Sequence, residues 1–152
     1  MNSYNKLRPR VDIEKCTCKS VSSLILVDLL TDNPIHCFNC KNEIDPAILT
    51  LQKPLVDEIA SWFRSYQALY ALWLDSGEYE SYARAKLFDK HGQVNIEGIR
   101  IAKQLSQYYP SYYWWFFDVD DDEPSQCPNC NNKLDHKVKH GIGKCDACHI
   151  LV

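Results

Sequence analysis

The sequence lacks a long hydrophobic run and the motifs that usually identify a catalytic site. Its longest apolar stretch, residues 24–30, contains Asp28 and is far shorter than the roughly 20 residues of a membrane span. It has no phosphate-binding loop, no dinucleotide-binding fingerprint, no His-Glu-x-x-His motif and no clear Ser-His-Asp or Cys-His arrangement. We therefore expect no enzymatic activity. Residues 1–10 are polar and basic, unlike a secretory signal, so we expect a cytoplasmic protein.

An excess of basic charge is also missing. The chain has 17 Lys and Arg against 20 Asp and Glu, which gives a formal net charge of −3 at pH 7. This balance disfavours a protein whose main task is to follow a phosphate backbone. The charge is uneven, because residues 1–19 are basic and residues 126–152 are mildly basic, whereas five acids are concentrated in a short run: Asp118, Asp120, Asp121, Asp122 and Glu123.

Cysteine, in contrast, is abundant and always paired. Two thiolates one or two residues apart can bind one metal ion from a tight turn, and two such turns complete a tetrahedral zinc site. Cytoplasmic thiols stay reduced, which favours metal sites, although an even number of cysteines also permits disulfides. We predict two structural Zn²⁺ sites without an open coordination position, and their ligands are Cys16, Cys18, Cys37, Cys40, Cys127, Cys130, Cys145 and Cys148.

The two modules differ in regularity. The C-terminal one has two Cys-x-x-Cys turns separated by fourteen residues, which is typical of a zinc ribbon, whereas Cys16-x-Cys18 is a tighter pair. Four half-sites can pair in three ways, and pairing of nearest neighbours is the simplest. His36 and His149 flank ligand cysteines and could replace one of them, but the cysteine sets are already complete. His136 and His140 lie four residues apart and could bind a metal if they were on a helix, but we expect them to be surface residues.

The hydrophobic pattern predicts an α+β fold: two main helices packed on a small antiparallel sheet, with two zinc-ribbon or knuckle modules. Residues 22–30 are typical of a strand, and an apolar stripe follows Pro54 as far as Gly77. A second helix is expected over residues 96–108, with Asn95 as its N-cap, and residues 78–92 are ambiguous. We divide the chain into a basic N-terminal segment (1–14), a first zinc knuckle with a helical and aromatic core (15–125), and a C-terminal zinc ribbon (126–152).

Six consecutive aromatic residues occupy positions 112–117. If they form a strand, their side chains alternate between its two sides, so either the strand is sandwiched in the core or one face forms an adhesive surface. The acidic run follows as a loop. It is either a solvated segment or, together with Trp114 and Trp115, a partner-binding surface. A catalytic magnesium site is not expected there, since such carboxylates usually come from separate strands.

The order of several motifs resembles an uncharacterised bacterial family of zinc-ribbon-containing proteins with a suggested nucleic-acid-binding role. The matching landmarks are Pro34-Ile-His-Cys37-Phe-Asn-Cys40, the helix at Trp62 to Tyr70, Gly98-Ile-Arg, Tyr112-Tyr-Trp, Cys127-Pro-Asn-Cys130 and Cys145-Asp-Ala-Cys148-His-Ile-Leu. The resemblance implies a short member without the family's N-terminal region. It departs at His149, where an arginine is expected, and at Asn131, where a ribbon usually has glycine.

Two function hypotheses remain open. The first is a non-enzymatic zinc-binding protein that captures a protein partner through its acidic and aromatic surface, as small bacterial antitoxins and immunity proteins cover the basic cleft of a toxin. The second is nucleic-acid binding through the ribbons, supported by Lys133, Lys137, Lys139 and Lys144 and by aromatic residues that could stack on bases. The acidic charge favours the first. Neither a membrane nor a small-molecule substrate is expected as a partner.

Overall fold

The computed structural model describes Leu7, residues 15–137 and residues 142–152. Within these residues, three α-helices pack on one face of a five-stranded sheet, and a short 3₁₀ helix spans Pro46–Ile48. The elements are β1 (Leu24–Leu26), β2 (Ile35–Cys37), α1 (Lys53–Asp75), α2 (Glu80–Phe88), α3 (Gln93–Leu105), β3 (Ser111–Trp114), β4 (Lys144–Cys145) and β5 (Ile150–Leu151). The α+β class, with two long helices on a small sheet, is confirmed.

The sheet has the strand order β2-β1-β3-β5-β4 and is mixed, not purely antiparallel as the sequence led us to expect. The pairs β1–β2 and β4–β5 are antiparallel, whereas β1–β3 and β3–β5 are parallel. The parallel pairing of β1 and β3 follows from a crossover over residues 27–110 that contains all three helices, because such a connection returns the chain to the end of the sheet where it started.

Helix α1 matches its prediction. Pro54 lies in its first turn, and its buried face includes Leu55, Ile59 and Trp62. Gly77 follows the end of the helix and has a φ of +63°. Helix α2 was ambiguous in the sequence because, of its nine residues, only Ala83 and Leu87 are buried, which leaves no clear apolar stripe.

Helix α3 begins three residues earlier than predicted, and Gly92, not Asn95, is its N-cap. Asn95 is fully buried inside the first turn. Its side-chain amide donates hydrogen bonds to the carbonyl oxygens of Leu87 and Asp89, each at 2.9 Å, and its Oδ1 accepts one from the Tyr113 hydroxyl at 2.7 Å. The residue therefore joins the end of α2 to the sheet, a long-range role that no local capping pattern reveals.

The aromatic run divides between the two faces of the sheet. Tyr113 and Trp115 are buried against the helices, where the Tyr113 ring meets that of Trp62 edge-on at 5.9 Å. Tyr112 and Trp114 lie on the opposite face and are only half-buried. Phe116 leaves this alternation and also enters the core, because β3 ends at Trp114. One face of the sheet is thus covered by helices and the other is open.

The C-terminal module extends the same sheet, since β5 pairs with β3 and β4 with β5. Of the basic N-terminal segment (1–14), only Leu7 is among the described residues, and it is buried in the core. The division between residues 15–125 and 126–152 stays a prediction.

Candidate metal centres and binding surfaces

The N-terminal cysteines converge on one point. The sulfur atoms of Cys16, Cys18, Cys37 and Cys40 all lie within 4.8 Å of one another. Cys37 is the last residue of β2, and the turn after it closes when the Lys41 amide donates to the Cys37 carbonyl at 2.8 Å. Cys16 is held beside this turn by its amide, which donates to the Glu43 carbonyl at 2.6 Å. Cys18 is the exposed member of the cluster.

The C-terminal cysteines form an equivalent cluster. Cys127, Cys130, Cys145 and Cys148 also lie within 4.8 Å of one another, and all except Cys130 are buried. The Asn131 amide donates to the Cys127 carbonyl at 2.9 Å, which repeats the turn of the first cluster. The Asn129 side-chain amide donates to the Cys148 sulfur at 3.3 Å. Pairing of nearest neighbours, the simplest of the three arrangements, is the observed one.

The spacing of the sulfurs fits zinc. With a Zn–S bond of about 2.3 Å, the sulfurs of a tetrahedral site lie about 3.8 Å apart. The measured separations are 3.7 Å between Cys130 and Cys145 and 4.0 Å between Cys18 and Cys37, and all eight cysteines are free of disulfides. The two clusters therefore fit two structural Zn²⁺ sites. Four protein ligands leave no position for a substrate, so the metal would supply folding energy and no Lewis-acid chemistry.

The ionisation of the four thiols of a cluster would depend on the bound metal. Burial raises the pKa of Cys16 and of Cys127 to about 12, whereas the backbone amide of Asn132 lowers the pKa of Cys130 to about 7. Without a metal, four neighbouring thiolates would not form together at neutral pH. A bound dication supplies the compensating positive charge, so binding of zinc releases protons.

The three Cys-x-x-Cys turns share a backbone feature. Each is followed by a residue with positive φ: Lys41 at 65°, Asn131 at 62° and His149 at 56°. This left-handed conformation favours glycine, and asparagine tolerates it better than most other residues. The expectation of glycine at position 131 thus has a physical basis in the geometry of the turn.

The histidines near the clusters have other partners. The His36 ring is buried, with Nδ1 2.7 Å from the Lys41 carbonyl and Nε2 2.9 Å from the Asn33 carbonyl. The His149 Nδ1 lies 3.0 Å from both the Ser106 hydroxyl and the Ser111 carbonyl. His136 is exposed and outside both clusters, and His140 lies outside the described residues.

The acidic run is partly bound to the protein itself. Arg84 of α2 pairs with Asp118 at 3.6 Å and with Asp121 at 2.5 Å. Three further acids of the run are exposed and form no ion pair among the described residues; these are Asp120, Asp122 and Glu123. Trp115, expected at the partner surface, is only 3% exposed because its ring packs in the core, whereas Trp114 is half-buried on the open face of the sheet.

A surface that the sequence did not reveal lies beside this run. Because β1 and β3 are parallel, the segments that follow them emerge at the same end of the sheet, and both contribute to one cleft. Among the described residues, nine large apolar side chains are exposed, and four of them belong to these two segments: Leu29, Leu30, Phe117 and Val119. We call these four residues, together with the acidic run at 118–123, the carboxyl edge.

The open face of the sheet carries a second distinctive group. Phe38, Tyr112 and Trp114 lie half-buried over Ile25 and Leu151. The Lys41 ammonium lies 4.6 Å from the centre of the Phe38 ring, and that of Lys144 lies 5.5 Å from the Tyr112 ring. Of the predicted basic residues, Lys133 and Lys137 are exposed, and Lys139 lies outside the described residues.

No helix in the described residues is long and apolar enough to cross a membrane. Comparison of the chain with protein-family models, curated proteins and solved structures gives no match. The resemblance to the zinc-ribbon-containing family therefore stays a prediction. Its coarser content is shown by the geometry: the chain carries two four-cysteine clusters consistent with zinc-ribbon-like modules.

Proposed function

We propose that this is a non-enzymatic zinc-binding protein of the cytoplasm that captures a basic protein partner with its carboxyl edge. The observation that carries this proposal is the juxtaposition of exposed apolar side chains and carboxylates at one end of the sheet. Leu30 is 69% exposed and Val119 is 88% exposed, and Val119 directly precedes Asp120, which forms no ion pair among the described residues. Single exposed apolar residues are ordinary, but four on two segments that leave the same end of the sheet, one of which continues into a run of carboxylates, favour an interaction site.

The two kinds of side chain would have different tasks. The apolar residues supply affinity once a partner removes them from water, and the carboxylates steer a positively charged partner and disfavour acidic competitors. The net charge of −3 is consistent with this. Inhibition of a basic enzyme, in the manner of antitoxins and immunity proteins, is the form of capture that we favour. Such inhibition would need only a binding surface held by a stable fold. The two zinc sites, at the edge strands β2 and β4, would stabilise that fold.

The test compares two double variants in a binding assay with the partner purified from the native host. Leu30→Ser with Val119→Ser removes exposed apolar groups from the carboxyl edge. Ile48→Ser with Ile96→Ser is the matched control, since these side chains are 59% and 47% exposed elsewhere. Burial of one such side chain contributes about 1.5–3 kcal/mol, so the first variant should bind at least about tenfold more weakly and the control should bind normally. Equal affinities would refute the proposal.

Nucleic-acid binding is the second candidate, and one observation favours it. Half-buried aromatic rings with two lysine ammonium groups above them form an open sheet face, and unpaired bases stack on such faces while cations contact phosphates. Binding of a single-stranded oligonucleotide that weakens with salt, that Lys144→Gln reduces, and that the Leu30 and Val119 substitutions leave unchanged would establish this function in place of the first.

A further inference from the structure

A cleft of about 320 Å³ lies between α2, the acidic run and the C-terminal module. Its walls are mainly apolar and include Phe88, Phe116, Phe117, Pro124 and Val152. Phe117 also belongs to the carboxyl edge, so the cleft is continuous with the surface to which we assign partner capture. Its volume lies at the lower end of the range of ligand pockets, about 300–1,000 Å³.

The charged groups at the cleft are incompletely satisfied. Arg84 donates to Oδ1 of Asp121 at 2.5 Å, and its guanidinium group lies 4.6 Å from the centre of the Phe88 ring. The other oxygen of Asp121, Oδ2, is buried and accepts no hydrogen bond from any described residue. Asp122 also lines the cleft, is exposed and forms no ion pair among the described residues.

These observations define what an occupant must supply. Oδ2 of Asp121 is enclosed by the protein itself, so an occupant of the cleft would meet the exposed part of the Asp121 side chain and the exposed carboxylate of Asp122. With one arginine and two aspartates at the cleft, a second cation would be attracted and an anion repelled. The walls of the cleft are apolar, so the occupant should also carry a bulky hydrocarbon group next to its cation.

We propose that the cleft is the anchor pocket of the carboxyl edge, and that it takes one bulky apolar side chain of the partner together with a neighbouring lysine or arginine. The apolar side chain fills the space between Phe88 and Phe117, and the cation donates to the exposed carboxylate of Asp122, close to the negative charge of Asp121. This inference rests on the proposed function, because it assigns the partner's chemistry at the same surface.

The test uses the full zinc-loaded chain and three small probes with one naphthalene ring. They are 2-(2-naphthyl)ethylamine, the matching alcohol, and 2-naphthylacetate, and their binding is measured by titration calorimetry and by NMR shifts. The amine should bind about tenfold more tightly than the alcohol, because of its charge-assisted hydrogen bond, and the carboxylate should bind least. Asp122→Asn should remove the preference for the amine.

Two substitutions to phenylalanine separate occupation of the cleft from general adhesion. Ala85 lines the cleft from the exposed side of α2, so Ala85→Phe should fill the cleft and abolish binding of all three probes. Ala71→Phe, at an exposed position of α1 outside the cleft, is the matched control and should bind like the parent protein. Zinc content and melting temperature verify that each variant is folded.

Equal binding of the three probes, or unchanged binding by Ala85→Phe, would overturn the inference. The same variants separate it from the proposed function. If a protein partner depends on Leu30 and Val119 but binds Ala85→Phe normally, the anchor pocket is refuted and partner capture is retained. If the probes behave as expected but the Leu30 and Val119 substitutions leave partner binding intact, the chemistry of the cleft is supported and capture by the carboxyl edge is refuted.

Discussion

Replacement of Cys127 by serine should remove one zinc ion and release the C-terminal end of the sheet. The Cys127 side chain is fully buried, and its sulfur belongs to a cluster that holds the two turns of the C-terminal module together. Serine does not provide a thiolate, so the closed tetrahedral site is lost. The strand β5 belongs to this module, and its residues Ile150 and Leu151 are fully buried on opposite faces of the sheet.

The magnitude follows from these contacts. Structural zinc contributes about 10–16 kcal/mol of apparent binding free energy at pH 7 in small peptides, which is comparable with the entire stability of a typical domain, about 5–15 kcal/mol. If β5 also detaches, exposure of Ile150 and Leu151 costs the remaining core about 1.5–3 kcal/mol for each side chain. At about 2–4 °C per kcal/mol for a chain of this size, a loss of this order lowers the melting temperature by tens of °C.

The assay combines zinc quantification by mass spectrometry with thermal unfolding followed by circular dichroism. We expect one zinc ion per chain and a lower melting temperature for Cys127→Ser. His136→Ala is the control, because His136 is exposed and lies outside both clusters, and it should keep two zinc ions and the parent melting temperature. Two zinc ions and an unchanged melting temperature in Cys127→Ser would refute the assignment of this site.

Three further substitutions test local features by thermal or urea unfolding. Gly98→Ala would place a Cβ atom 2.6 Å from Cε2 of the buried Tyr113 ring, so it should destabilise the protein by about 1–3 kcal/mol, and parent-like stability would contradict this packing. Asn131→Gly should stabilise by up to about 1 kcal/mol, since φ is +62° there; a loss of stability would argue against the strained turn. Burial raises the pKa of Asp28, so the folded state binds this proton more readily than the unfolded state and carries a buried charge above that pKa. Asp28→Asn should therefore be the more stable form at pH 7, with an advantage that shrinks as the pH falls; a pH-independent difference would contradict it.

The local features of the molecule could be predicted from the sequence. Cysteine spacing predicted both metal clusters and the simplest pairing, because a chelating turn is built from residues one or two apart. The apolar stripe predicted α1, whose buried face repeats over many turns. Helix α2 escaped prediction because it buries too few side chains to show a period.

The missed features depend on contacts between distant residues. Asn95 was assigned to a local cap, but it binds α2 and Tyr113. The parallel pairing of β1 and β3 depends on a crossover of more than eighty residues, and no local pattern reports it. The carboxyl edge is a consequence of that pairing, so the sequence could not show that Leu29 lines the same cleft as Phe117. An apolar pair directly after Asp28 was the only available signal.

Native mass spectrometry of the protein purified at low salt from its own host tests the account most directly, with the parent and the Leu30→Ser, Val119→Ser double variant side by side. We predict a parent complex with two zinc ions and one stoichiometric basic protein, and a variant that keeps both zinc ions but loses the protein. A parent that carries no protein partner, or that carries nucleic acid released by salt, would contradict the proposed function. A partner retained by the variant would contradict the assignment of the carboxyl edge.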